Sequence, residues 1–373
     1  MLTVDLKTLQ KLLPFYWKEK TPLYLWGKPS SGKTSIVRQF AQSKAKELGL
    51  KYSEDEFGDD IFTLKIITMS QYDAPDLRGM PQIRDKGSYA VTQFIATEEL
   101  PRVGQGIIFF DEMNLADETV RAAMYRYILE GRISNVPELV DERGLPKFWR
   151  VAASNTEKDY SGVQQTYLAQ TSRFAHLGVE PELDEILQYF LERDHDPRVI
   201  GYLKNYPSDL FPAVWDERLL DKKANPFPRQ WENVSRLIKG IRDPETLTLL
   251  ASSCIGPELG SKFGSYVKLS QSVKLEDVLK DPEKTLKKIE ERREDRASMF
   301  WSIVSSLASL WWKKDNRLPP EKVLKISSCL PPEFSVGFLT LILKKRLNTL
   351  RKVEGFDKTM ADLGVYFNDE DLA

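Results

Sequence analysis

The chain has 373 residues, enough at roughly 100–200 residues per domain for two or three domains with a sizeable core. Hydrophobic residues make up 41% and charged residues 29%, and the formal net charge is −1. That is ordinary for a soluble globular protein, and it removes bulk charge as a reason to expect nucleic acid, leaving only a local basic patch open. Two cysteines, Cys254 and Cys329, lie outside any metal-ligand spacing and read as buried thiols in a reducing compartment. Two histidines, His176 and His195, argue against a histidine-based metal site or triad.

In chain order, "MLTVDLKTLQKLL" reads as a short amphipathic helix, without the apolar run and cleavage site of a secretion signal. "PLYLW" (Pro22 to Trp26) is a short apolar run that ends at a glycine loop, and a helix is predicted from about Thr34 to Leu48. "IFTLKIITM" is rich in β-branched residues and reads as a strand, while "GIIFFDE" and "FWRVAASN" have the unbroken apolar character of buried parallel strands. "HLGVE" is strand-like as well. Strands separated by helical stretches predict a parallel sheet covered on both faces. "QIRDKGSY" is either a β-hairpin turning at Lys86-Gly87 that projects from the domain or an ordinary surface hairpin.

Past about residue 180 the strand signals stop. "PELDEILQYFLERD", "NPFPRQWENVSRLIKGI" and "PETLTLLASSCIG" have helical spacing punctuated by Pro and Gly. "LEDVLKDPEKTLKKIEERREDR" reads as a solvated, charge-laced helix or helix pair. "MFWSIVSSLASLWW" (Met299 to Trp312) is too short to span a bilayer, which takes about 20 residues, and reads as a buried helix. The Pro-Pro pairs at 319–320 and 331–332 mark helix boundaries. The acidic tail "FNDEDLA" reads as frayed, and the whole chain reads as cytoplasmic with no membrane partner.

The most informative stretch is "GKPSSGKTS". Gly27, Gly32, Lys33 and Thr34 fit G-x-x-x-x-G-K-[ST] without departure. Glycines let the backbone curl so that N–H groups surround a phosphate, and the helix that follows points its positive end there. Gly27, Lys28, Pro29, Ser30, Ser31, Gly32, Lys33, Thr34 and Ser35 would form the nucleotide loop, with Lys33 on the β- and γ-phosphates and Thr34 on Mg²⁺. The bland alternative is a chance match in a surface loop.

In "GIIFFDEMNLAD" an apolar strand delivers Asp111 and Glu112 to its C-terminal end, where α/β sheets bind ligands. Asp111 would hold Mg²⁺ through water, and Glu112 would polarise an attacking water. The alternative is a strand end closed by solvated acids. No base-reading N-K-x-D of a GTPase is present; "NTEKD" (Asn155 to Asp159) has the wrong spacing. Water activation, hence ATP hydrolysis, fits the acidic pair better than phosphoryl transfer to a small molecule. Asn155, ending "RVAASN", is placed to orient the water or simply starts a turn. Arg173 in "QTSRF" is placed to reach a neighbouring subunit's γ-phosphate, or is a surface arginine. Arg229 in "NPFPRQW" is placed to touch the nucleotide of its own subunit, or is a helix-start arginine.

Taken in order, these five elements resemble an AAA+ ATPase. "GKPSSGKT" is similar to its Walker A loop and "IIFFDE" to its Walker B strand; Asn155 matches sensor 1, Arg173 the arginine finger and Arg229 sensor 2. The resemblance covers about residues 1–265. "SQYDAPDLRGMPQIRDKGSY" and "DEMNLADETVRAAMYRYILEGRI" are most similar to the MoxR-like branch. The resemblance implies an α/β fold: an AAA+ nucleotide-binding domain over 1–180, a helical lid over 181–270 and a helical extension over 271–373. It implies a hexameric ring with ATP and Mg²⁺ at subunit interfaces, and a hairpin directed to the pore. It also implies a remodelled partner protein, commonly one with a von Willebrand factor A domain. Arg121, Arg126 and Arg132 would be interface groups or a solvated helix face. Residues 271–373 would pack on the lid or dock a partner. Two rival functions remain: a motor acting on nucleic acid, and a ring subunit that binds ATP without hydrolysing it.

Overall fold

The computed structural model describes residues 1–95, 97–131, 139–156, 172–212, 223–292, 295–313, 315 and 318–363, apart from the side chains of residues 125, 126, 129 and 130. Two compact units divide the chain, Met1–Pro181 and Glu182–Ala373.

The first unit is built on seven strands, all parallel. β1 (Leu2–Val4), β2 (Leu23–Trp26), β3 (Lys51–Ser53), β4 (Ile61–Thr68), β7 (Gln105–Asp111), β8 (Phe148–Ser154) and β9 (Ala175–Val179) lie in the order β1-β9-β2-β8-β7-β4-β3. The apolar runs are continuous because both faces are covered, and period two splits each run between two cores. Leu23 and Leu25, Ile107 and Phe109, and Trp149 and Val151 face one core with Leu9, Val37 and Phe40 of helices α1 (Leu6–Glu19) and α2 (Lys33–Glu47). Tyr24 and Trp26, Ile108 and Phe110, and Phe148 and Ala152 face the other core with Val120 and Met124 of helix α4 (Glu118–Glu130).

The first residues depart from the expected single short helix. Leu2–Val4 form a strand that pairs with Leu177–Val179, and the helix starts only at Leu6, with the Asp5 carboxylate accepting from the Thr8 N–H at its N-terminus. A three-residue strand has too little periodicity to be read locally; its partner decides it. The short helix α3 (Ala74–Arg78) leads into β5 (Met80–Asp85) and β6 (Ala90–Ile95), a two-stranded antiparallel hairpin separate from the main sheet. Its turn holds Gly87 at φ 84°, as the Lys86-Gly87 signal predicts. Arg121, expected on an interface or a solvated helix face, is 2% exposed in this unit. Arg132 and the Arg126 side chain lie outside the described residues.

The second unit has no strand among its described residues. One core cluster runs from Ile186 to Met360, with Tyr202, Trp231, Phe263, Tyr266 and Trp311 at its centre. The apolar segment expected as a buried helix is Arg296–Trp312. Helices begin at Pro320 and Pro332, each the second proline of its pair. The charge-laced segment is a helix pair, Leu275–Lys280 and Pro282–Glu290, with Val278, Leu286 and Ile289 buried. Cys254 and Cys329 are free thiols and only half-buried, not the buried pair expected. No helix among the described residues is long and apolar enough to cross a membrane.

Candidate functional site

Three strands end together at one edge of the sheet. β2 runs into the glycine loop, β7 ends at Asp111 and β8 ends at Ser154. In the sheet order β8 separates β2 from β7, so Asn155 emerges between the loop and the acidic pair. Parallel pairing puts all three C-terminal ends together, which is where open α/β sheets collect ligands.

The loop is shaped for close approach. A Cβ on Gly27 would lie 2.5 Å from the Val179 carbonyl oxygen, so no larger residue fits. Gly32 has φ 89° and Ser30 φ 60°, a left-handed curl that turns successive N–H groups one way. The Gly27 N–H donates to the Ser154 carbonyl at 3.3 Å and fixes the loop's entry to β8. Lys33 opens α2 and is 7% exposed. Its ammonium donates to the carbonyls of Gly27 (2.8 Å) and Lys28 (3.0 Å), and reaches Asn155 Oδ1 at 3.4 Å. Oxygens of the loop itself thus hold the Lys33 ammonium.

Thr34 Oγ1 donates to Asp111 Oδ2 at 3.0 Å, which brings into contact the hydroxyl and the carboxylate expected to hold Mg²⁺. Burial pushes the Asp111 carboxyl above its usual range; hydrogen bonds from Thr34 and the Glu112 N–H, and the Lys33 charge, oppose that shift. A buried carboxylate beside a hydroxyl, facing a curled glycine loop, fits a divalent cation carried by a polyphosphate. Among the described residues no group of three or more His, Cys, Asp or Glu side chains is placed to hold a metal ion by itself.

Glu112 follows in a left-handed conformation, φ 53°. Such a backbone is strained for a residue with a Cβ, and it turns the carboxylate off the strand line. Glu112 Oε2 accepts from Ser70 Oγ at 2.5 Å. Ser70 lies in the 3-10 turn Met69–Gln71 that ends β4, and it contacts this acid from far along the sequence. Asn114, 1% exposed, joins the acidic segment to β8: its N–H donates to Ser154 Oγ (3.1 Å) and its Nδ2 to the Asn155 carbonyl (3.0 Å). Ser154 Oγ in turn shares a 2.7 Å hydrogen bond with Tyr24 of β2. Ser70, Asn114, Ser154 and Tyr24 were not legible as site residues, because the contacts that enlist them are long-range. The "MN" after the acidic pair was the available signal for Asn114.

Arg173 is half-buried in the turn before β9, where Phe174 packs on Tyr24 with ring centroids 5.2 Å apart. Trp26 Nε1 donates to His176 Nδ1 at 2.9 Å in the same aromatic layer. Arg229 belongs to the other unit. It is exposed in the first turn of the helix Pro228–Ile238, which buried Pro228 and Trp231 anchor. A cation gains nothing from the positive end of a helix, so packing does not account for an arginine there.

No family model matches the sequence, and no curated protein matches it. Among solved structures the chain is similar to a mutant of RuvB from Thermotoga maritima, at 15% identity over 74% of this chain and 77% of that one, with a TM-score of 0.32.

Proposed function

We propose that this chain is an ATP-hydrolysing AAA+ ATPase of the MoxR-like branch, a ring-forming machine that remodels a partner protein. The observation that carries the reading is the Thr34–Asp111 hydrogen bond, with Lys33 and Asn155 converging on the same strand ends. The motif order supports the AAA+ assignment, and the exposed hairpin after "DLRG" supports the branch.

ATP's phosphates would lie in the curl from Gly27 to Ser35, with Lys33 swung from the loop carbonyls onto the β- and γ-phosphates. Thr34 and Asp111 would hold Mg²⁺, which neutralises charge on the phosphoryl oxygens when bound. Glu112, released from Ser70, would accept a hydrogen bond from the attacking water, and Asn155 would orient that water. Arg173 would reach the γ-phosphate of the adjoining subunit, and Arg229 the nucleotide of its own. The lid (181–270) and extension (271–373) would pass the cycle to a partner, which we take to be a separate protein with a von Willebrand factor A domain.

The test is turnover. Glu112→Gln should bind ATP and fail to hydrolyse it, and Arg173→Ala should lose about 10³–10⁵ in rate with binding nearly intact. Mixing Arg173→Ala with Lys33→Ala should restore part of the activity, because each interface needs a finger from one subunit and a loop from the other. Normal turnover in Glu112→Gln would sink the hydrolase reading, and normal turnover in Arg173→Ala would remove the finger assignment. A pull-down with the Glu112→Gln trap, with and without ATP, would then name the client.

A further inference from the structure

The opposite end of the same sheet carries a second polar cavity, of about 490 Å³. Its walls come from the C-terminal ends of α1 and α2 and from the segments leading into β4, β7 and β8. That volume is many times the roughly 30 Å³ share of one water, so it has room for a substituted phosphate. Five of its lining residues are cationic, Lys18, Lys20, Lys44, Arg143 and Lys147, against two carboxylates.

Lys20 is the unusual member. It caps α1 in the left-handed conformation, φ 52°, where glycine is the ordinary solution. It is 91% buried, and its ammonium sits 2.8 Å from the centroid of the Trp17 ring without a hydrogen bond among the described residues. An ammonium in so buried a side chain, with the Trp17 ring and the cavity around it, is costly, and nothing about capping a helix requires one. The two carboxylates do not satisfy it. Asp141 is taken up by the Arg143 guanidinium (3.1 Å) and by the N–H groups of Arg143 and Leu145 (both 2.9 Å), and Asp59 is exposed. Lys44 is held by Glu47 at 2.7 Å, outside the lining. The cavity therefore combines a desolvated donor with an excess of positive charge.

We propose that this cavity binds a tetrahedral oxyanion of the sulfate or phosphate class, held from within by Lys20 and at its wall by Arg143 and Lys147. The site is separate from the glycine loop, and the inference does not depend on the ATPase reading. Helix α2 joins the two, with Lys33 at one end and Lys44 at the other.

Binding is coupled to a proton. Burial pushes the Lys20 ammonium down to about 7; Asp141 opposes this, and Arg143 and Lys44 add to it. Lys18, Lys147 and Asp59 are the other charges that line the cavity. An anion beside the amine favours its charged form, so the amine takes up a proton when the anion arrives. Above about pH 7 the amine is neutral in the free protein, and the anion binds more weakly there.

The experiment uses the full chain with ¹³Cε-labelled lysine. The Lys20 signal is assigned by its loss in Lys20→Arg, and sulfate is titrated at constant ionic strength from about pH 6 to about pH 9, where sulfate itself does not titrate. The Lys20 midpoint should rise by about 1 to 3 pH units on saturation. The apparent affinity should fall about tenfold in Arg143→Gln/Lys147→Gln, whose exposed or half-exposed side chains leave the core intact. A stronger response to glycerol phosphate than to inorganic phosphate would identify a phosphomonoester as the occupant; the reverse would identify the free ion. A Lys20 midpoint unmoved by sulfate and by phosphate would overturn the proposal. So would an equal shift with chloride alone, which would reduce the effect to screening.

Discussion

The two units use their side chains in opposite ways. In Met1–Pro181 the strand interiors are mostly apolar on both faces, with buried Thr63 and Arg150 among the exceptions, and three strands make polar contacts at their last residue: Trp26 donates to His176, Asp111 meets Thr34, and Ser154 meets Tyr24 and Asn114. In Glu182–Ala373 aromatic rings meet tilted or edge-on at the centre of a single core, Tyr202 against Trp231 and Phe263. Chemistry and stability are therefore separable by position. A substitution at a strand end should remove function and leave the fold; one in the helical core should do the reverse.

The largest expected effect tests the first half of that contrast. Lys33→Ala should abolish measurable ATP binding in a titration with a fluorescent nucleotide, while the unfolding midpoint in denaturant stays near that of the parent. A collapse of the midpoint would show that the loop lysine holds the fold as well. Next comes Trp231→Ala. Trp231 is fully buried, its Nε1 donates to the Asp209 carbonyl at 3.0 Å, and its ring lies 5.2 Å from Tyr202. Its loss should cost about 3–5 kcal/mol, read by denaturant unfolding of the helical unit, with nucleotide affinity per folded molecule unchanged.

Asn114→Ala falls between the two classes, since Asn114 is buried yet holds the Asn155 backbone. It should cost about 1–3 kcal/mol of stability and lower the turnover rate more than ATP affinity. Equal losses in both would make it a packing residue. The smallest effect sharpens the contrast most. The folded state raises the Asp111 carboxyl above its unfolded value, so its charged form is disfavoured by folding. That group favours folding below its unfolded range, and the benefit is lost as pH rises through the folded value. At neutral pH Asp111→Asn should therefore raise the melting temperature of the nucleotide-free protein while removing Mg²⁺-dependent turnover. The gain should shrink as pH falls and vanish below about pH 4, where both states of Asp111 become protonated. A lowered melting temperature at neutral pH would contradict the burial argument.

Legibility followed the range of the interaction that fixes each element. "IIFFDE" and "WGKPSSGKTS" read correctly as strand end and loop because their patterns are local. The boundaries set by the Pro-Pro pairs read correctly because proline acts on its own neighbours. Leu2–Val4 and Lys51–Ser53 were not read as strands, since each has three residues and exists only through its pairing with β9 or β4. Arg121 shows the same limit from the other side: nothing nearby in sequence marks it as buried. Ser70 was invisible for the same reason, although it donates to the Glu112 carboxylate.

The parallel sheet also dictates an order of events as the chain is made. β2 lies between β8 and β9, with Leu23 beside Val151 on one side and Ala175 on the other. The strand that launches the glycine loop thus waits first for β8 and then for β9, and has both neighbours only when residues up to Val179 have left the ribosome. Such distant pairings form slowly and expose apolar edges in the meantime. The glycine loop is synthesised well before it can take shape, so nascent chains that stop short of Val179 should be blind to ATP.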